Sequence, residues 1–186
     1  DLEVPDIFKV LDRITARVPA GANGLVYTPW IWGERAPVSD STVRAGLFNL
    51  SLRNTREDII RAFLEGIALN TRWLLDPVAR FMGRRPESIA IVGGGAQSDL
   101  WCQIFADVLN VEIRQAAEPV CANARGAAWI AAVGLGELTF ADIPSLVEIR
   151  RAYTPLADNR ELYDGRFEVF KGIYRQLKGI YKGLNG

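Results

Sequence analysis

The segment Ser88 to Val108, SIAIVGGGAQSDLWCQIFADV, sets three consecutive glycines between a run of β-branched residues and a helical pattern. A strand that delivers glycines to a helix N-terminus is suited to anions, because unpaired backbone amides and the positive end of the helix dipole point the same way. Gly93, Gly94 and Gly95 let phosphate oxygens approach the backbone, and Ser98 can N-cap the helix that follows. The same residues also serve as a plain tight turn, and by themselves they leave both readings open. As a dinucleotide fingerprint the turn gives Gly93, Gly95 and then Ser98 where a third glycine belongs, with Glu118 available as a ribose-binding acid. A Rossmann-type NAD site therefore stays open, whereas no G-x-x-x-x-G-K-[ST] phosphate loop occurs anywhere in the chain.

A second cluster, ANARGAAWIAAVGLG, gathers Ala124, Gly126, Ala127, Ala128, Ala131 and Ala132 on one helix, which suits tight packing on a neighbouring backbone or room for a flat ligand. Trp101 and Trp129 fit a core, with adenine stacking as the other use of such rings. The chain contains no histidine, which removes the Ser-His-Asp and Cys-His arrangements and the commonest general base together. Cys102 and Cys121 have neither the spacing nor the partners of a zinc site or a disulfide framework, and both are expected to be reduced and structural. No metal-ligating cluster is expected.

The elements that must position these residues follow from periodicity. A helix is expected over Pro5 to Val18 and a short strand over Leu25 to Thr28, followed by a long irregular segment through Pro29, Gly33 and Pro37. Thr55 and Asp58 have capping-box spacing at the head of a helix with a broad apolar face, which Pro77 should end or kink. Strands are expected at Ser88 to Val92 and Val111 to Gln115, alternating with helices at Asp99 to Leu109 and Ala122 to Val133, the pattern of a parallel sheet. Tyr163, Phe167, Phe170, Tyr174, Leu177, Tyr181 and Leu184 alternate by four and three, as along the buried seam of a long C-terminal helix.

Lys plus Arg and Asp plus Glu each total 22 in 186 residues, so there is no basic field to hold nucleic acid. No apolar run approaches the roughly 20 residues of a membrane span, and no leader pattern opens the chain, so a cytoplasmic protein is expected. The start at Asp1, with Met82 the single methionine, fits a fragment or a processed product.

Taken together, IVGGGAQSDLWCQIFADVLNVEI and EPVCANARGAAWIAAVGLGE resemble the C-terminal domain of the FGGY family of carbohydrate kinases, its xylulokinase-like members above all. ANGLVYTPWIWGERAPVSD resembles the family's G-E-R-x-P stretch, and RAGLFNLSLRNTREDIIRAFLEGIA resembles its second signature, ending in A-x-x-E. Within that signature Asn49 stands where the family usually has glycine, Ala45 and Gly46 are exchanged in order, and Phe63 replaces a smaller residue.

The resemblance implies an α/β fold of the actin-like ATPase (ribonuclease H-like) type. Residues 1–186 would form part of the second, nucleotide-binding lobe, and the N-terminal sugar-binding lobe would lie outside the chain. It implies ATP and Mg²⁺ as cofactors and transfer of the γ-phosphoryl to a sugar or polyol, with xylulose the nearest guess. Gly93, Gly94, Gly95 and Ala96 would line phosphates and ribose, and Asp99 would accept from the adenine amino group. The catalytic aspartate lies upstream of the matched segment, so this chain has no catalytic residue to nominate and is expected to bind ATP or ADP without phosphorylating sugar. A non-catalytic actin-like domain is the remaining alternative. If Trp30 and Trp32 docked on the other lobe, with Glu34 and Arg35 pairing there, their exposure would favour self-association, and a homodimer is the oligomer considered.

Overall fold

The computed structural model describes residues 6–186. Helix α1 spans Ile7–Thr15, and the Asp6 side chain caps it by accepting from the Phe8 amide. Pro5, where a helix was expected to begin, lies outside the described residues, and the helix ends at Thr15, short of Val18. Strands β1 (Val26–Thr28) and β2 (Gly46–Phe48) pair antiparallel. Asn49, directly after β2, has φ 65° and donates from Nδ2 to the Gly24 carbonyl at 3.1 Å. Asparagine thus takes up the left-handed conformation that glycine usually supplies.

Helix α2 (Arg56–Met82) starts at the expected capping box: Thr55 Oγ1 accepts from the Asp58 amide, and the Asp58 carboxylate accepts from the Thr55 amide at 2.8 Å. It packs so closely on β1 that a Cβ on Gly66 would stand 2.2 Å from the Tyr27 carbonyl oxygen. Pro77 does not end this helix, which continues to Met82 and closes on left-handed Gly83. The proline removes one backbone donor, but its turn carries exposed Leu74, Asp76 and Val78, so water can serve the freed carbonyl.

Strand β3 (Ser88–Ile91), helix α3 (Asp99–Leu109) and strand β4 (Glu112–Ala116) form the expected parallel unit. Helix α4 (Ala122–Gly134) and the short α5 (Ile143–Leu146) then lead to a strand that periodicity did not predict, β5 (Ile149–Tyr153). β5 lies antiparallel on β4, giving the order β3-β4-β5, so the sheet is mixed and not purely parallel. Helix α6 (Arg160–Asn185) closes the chain.

The core lies where α2, α3 and α6 meet β4, around Leu75, Ile104, Leu109, Ile113, Tyr163 and Phe170. Trp30 belongs to it: the indole is fully buried, donates to Asn70 Oδ1 at 3.1 Å and meets Phe170 and Tyr174 edge-on. The expectation that Trp30 docks on another lobe is therefore corrected, while Trp32 is 88% exposed. Glu34 also turns inward, accepting from Asn70 Nδ2 at 2.8 Å. On α6 the aromatic seam is buried through Phe170, whereas Leu184 is exposed. No residue of α4 is buried, so its small residues do not pack tightly within this chain.

Candidate nucleotide site

The chain leaves β3 at Ile91, turns at Gly93 and makes a single 3₁₀ turn, Gly94–Gln97, before α3 begins at Asp99. Each glycine has its own reason. Gly93 has φ 87° and donates its amide to the Pro119 carbonyl at 2.8 Å, which ties the turn to the segment after β4. A Cβ on Gly95 would stand 2.7 Å from the Trp101 ring. Gly94 has neither constraint: its φ is not left-handed, and no atom lies within 4 Å of where its Cβ would be. Glycine there costs backbone entropy without serving the fold, and it leaves open space beside the backbone.

That space belongs to a cavity of about 500 Å³, within the range of about 300–1,000 Å³ usual for small-ligand sites. One wall is α1, through Phe8, Leu11, Asp12 and Thr15; a second is α2, through Ile60, Phe63 and Leu64; the floor is the glycine turn with Ser98 and Trp101. Phe63, larger than the residue expected at its position, extends the apolar wall and packs edge-on against Tyr27 at 4.4 Å between centroids. Trp101 is fixed in place by donating from Nε1 to the Leu64 carbonyl at 3.1 Å. Ser98 caps α3, its Oγ accepting from the Trp101 amide at 3.0 Å.

Asp6, Lys9, Asp12, Thr15, Gln97 and Ser98 interrupt these apolar walls, and two of them are set apart by burial. Burial pushes the Asp12 carboxyl above the ordinary carboxylate range; a hydrogen bond from the Ser98 hydroxyl opposes the shift, and the charges of Asp99 and Asp6 add to it. Thr15 is fully buried, and its Oγ1 has no hydrogen-bond partner. A buried hydroxyl left unpaired is costly unless something outside the chain satisfies it.

The predicted site residues divide at this turn. Gly94 and Gly95 line the cavity. Ala96 does not: it is fully buried, and its carbonyl accepts from Gln115 Nε2 at 2.7 Å, anchoring the turn to β4. Gly93 also stands outside the cavity lining. Asp99 faces away from it, 3.5 Å from Arg151 and 3.9 Å from Arg150, and accepts from Gln115 Nε2 at 3.2 Å. Burial opposes ionisation of Asp99, but the hydrogen bonds from Tyr153 and Gln115 and the two arginines prevail and hold its pKa below the ordinary value. Asp99 thus supports the turn from the β5 side and is not among the residues that line this cavity.

Sequence reasoning missed the wall supplied by α1. The signal was present, since Phe8, Leu11, Asp12 and Thr15 share one helical face, and two polar residues on an otherwise apolar stripe mark a face turned to something other than core.

Cys102 is buried and Cys121 exposed, and both are free. Among the described residues no group of three or more Asp, Glu or Cys side chains is arranged to hold a metal. Among the same residues no helix is long and apolar enough to cross a membrane.

The antiparallel β5 takes the place where a doubly wound dinucleotide fold would continue in parallel, and Glu118 stands at a left-handed turn after β4. Comparison with known proteins overturns the Rossmann alternative outright. Residues 5–135 match the FGGY family of carbohydrate kinases, C-terminal domain. A xylulose kinase of Staphylococcus epidermidis is 36% identical over 170 residues, which cover 88% of this chain and 33% of that protein. A glycerol kinase of Enterococcus casseliflavus is 32% identical over 149 residues, 78% of this chain and 29% of that protein. The crystal structure of xylulose kinase from Rhodospirillum rubrum superposes with a TM-score of 0.79 at 35% identity, covering 97% of this chain and 36% of that one. The chain thus spans about a third of the length of the curated relatives it matches. Its actin-like α/β architecture, its glycine turn and these matches lead to one assignment: the chain belongs to the FGGY family of carbohydrate kinases, as its C-terminal domain.

Proposed function

We propose that residues 1–186 are the nucleotide-binding part of an ATP-dependent sugar or polyol kinase, and that the cavity between α1, α2 and the glycine turn holds the adenosine moiety of ATP or ADP. The observation that carries this reading is Gly94, a glycine that the fold itself does not need, set on the rim of an apolar cavity. Among the described residues, the amides of Gly94 and Gly95 have no partner in the turn and loop hydrogen bonds, so they are available to phosphate oxygens. Gly93, Ala96 and Asp99 hold that turn from behind.

The sugar and the catalytic base belong, on this reading, to a lobe beyond these residues, and lobe closure over the nucleotide would exclude water during in-line phosphoryl transfer. Xylulose is the favoured substrate by resemblance. The cytoplasm, where ATP is plentiful, is the compartment this activity requires.

Calorimetric titration of the chain with ADP and with NAD tests the reading. ADP should bind with a stoichiometry of about one and NAD should not compete, and no sugar-dependent ADP release should accompany ATP. Tight NAD binding without ADP binding, or robust turnover by the chain alone, would overturn it.

A further inference from the structure

We infer that the outer face of α6 pairs with the same face of a second copy of this chain, the two helices running antiparallel. The sequence of α6 repeats after seven residues, KGIYR at 171–175 returning as KGIYK at 178–182. Seven residues make nearly two helical turns, so positions at that interval share a face. Tyr163, Phe167 and Phe170 are buried on one side of the helix. On the opposite side stand Gly165, Gly172 and Gly179. Apart from the helix's own backbone, no atom lies within 4 Å of where a Cβ on Gly165 or Gly179 would be, and at Gly172 only the Arg175 guanidinium comes that close. Glycine within a helix is destabilising relative to alanine, and the packing of this chain does not require it here. A second helix does, because a face without side chains along its middle lets another backbone approach to about 8 Å, the close end of helix packing.

The order of charges identifies the occupant. Beside the glycines, at seven-residue intervals along one flank, run Glu161, Glu168, Arg175 and Lys182, two acids followed by two bases. A two-fold axis that makes the helices antiparallel brings this flank against itself. One register then satisfies every charge: Glu168 meets Arg175 and Glu161 meets Lys182, and both pairs are centred on the same point, between Lys171 and Gly172. A parallel pair would instead set these charges beside Val169, Gln176 and Gly183, where no opposite charge waits. Among the described residues Glu161, Arg175 and Lys182 have no ion-pair partner, and Glu168 has Lys171 at 2.7 Å. On the other flank Val169 and Ile180, 49% and 58% exposed, supply apolar contact. Charges at the edge of such a contact fix partner and register more than they add affinity.

Sedimentation equilibrium on the full chain tests this, in a background carrying Ile130→Asp and Phe140→Asp so that the exposed apolar surface on and after α4 does not contribute. Dimers should form at about micromolar concentration. Lys182→Glu places like charges together twice in each dimer and should weaken it by about tenfold. Glu161→Lys should do the same, whereas the double variant restores opposite charges and should recover most of the parent affinity. Gly165→Leu meets open space within its own chain, so the urea midpoint should hold or rise. Its side chain would keep the two backbones apart, and dimerisation should fall by at least about a hundredfold. A chain that stays monomeric up to about 100 μM would overturn the inference. So would dimers indifferent to Lys182→Glu or to Gly165→Leu, or a double variant that associates no better than Lys182→Glu alone. Should Gly165→Leu lower the urea midpoint, the charge exchange between Glu161 and Lys182, which form no ion pair within the chain, alone decides.

Discussion

Arg61 Nε donates to Glu65 Oε1 across 2.7 Å, one turn along α2, with both side chains buried. The same oxygen accepts from the Tyr163 hydroxyl at 2.9 Å and from the Gly21 amide at 3.0 Å. One carboxylate thus joins α2, α6 and the turn that follows α1. Truncating it would strand the Arg61 guanidinium in the interior, so Glu65→Ala should lose about 3–5 kcal/mol of unfolding free energy. Urea denaturation measures this, and a loss below about 1 kcal/mol would mean that the pair does not hold these elements together.

The three glycines should respond differently to one added methyl group. Gly94→Ala meets open space and should leave stability within about 1 kcal/mol of the parent chain. It should weaken ADP by at least about tenfold, or 1.4 kcal/mol, if the ligand lies against that backbone. Gly95→Ala must displace the Trp101 ring and should cost about 1–3 kcal/mol. Gly93→Ala imposes a left-handed conformation on alanine, at about 1–2 kcal/mol. Parallel denaturation and calorimetry on the three variants would expose a different order.

Acid should weaken one contact between α2 and α6. Burial opposes ionisation of Asp164, but hydrogen bonds and charge from Arg72 and Arg160 outweigh it and lower its pKa below the ordinary 3.8. A carboxylate whose folded pKa is depressed contributes stability that is fully present above its unfolded pKa and is lost as pH falls through the folded one. The stability difference between the parent chain and Asp164→Asn should therefore stay level down to about pH 5 and shrink below about pH 4. A difference that grew on acidification would contradict the assignment.

The two thiols should separate chemically. Burial pushes the Cys102 thiol up to about 11, with the Asp99 charge adding to the shift, whereas Cys121 is exposed. At pH 8 a thiol reagent should label one cysteine within minutes and the other only on unfolding. Two equally fast cysteines would place Cys102 at the surface.

Much of this architecture was legible in residue order because local signals and tertiary demands agree there. Ser98 and Asp99 open α3 where capping requires, and the Thr55–Asp58 box opens α2. β5 was not legible. Ile149, Arg150, Arg151 and Ala152 are all exposed, so no alternation of burial marks the strand, and only pairing with β4 defines it. The glycine turn was visible, but its ligand-facing side was not, because Ala96 and Asp99 are oriented by Gln115, Arg150 and Arg151, far along the chain. Trp30 was misread because its partners, Asn70 and Phe170, lie 40 and 140 positions away.

The exposed surface carries its own expectation. The chain has 11,661 Å² of accessible surface, against about 8,900 Å² for a compact monomer of this mass. The excess is of the order of a large subunit interface. Ile130, Leu135 and Phe140, on and after α4, are 64–80% exposed. Sedimentation equilibrium should show concentration-dependent self-association of the isolated chain, and a monomer at all concentrations would argue that this surface is tolerated in water.

The most direct test of the nucleotide site is an amide and indole NMR titration with ADP. Saturable shifts are expected at Asp12, Thr15, Gly94, Gly95 and the Trp101 indole, with α4 and the C-terminal half of α6 unmoved. Saturation with ADP that leaves these five unshifted, or that moves residues elsewhere in their place, would contradict the site.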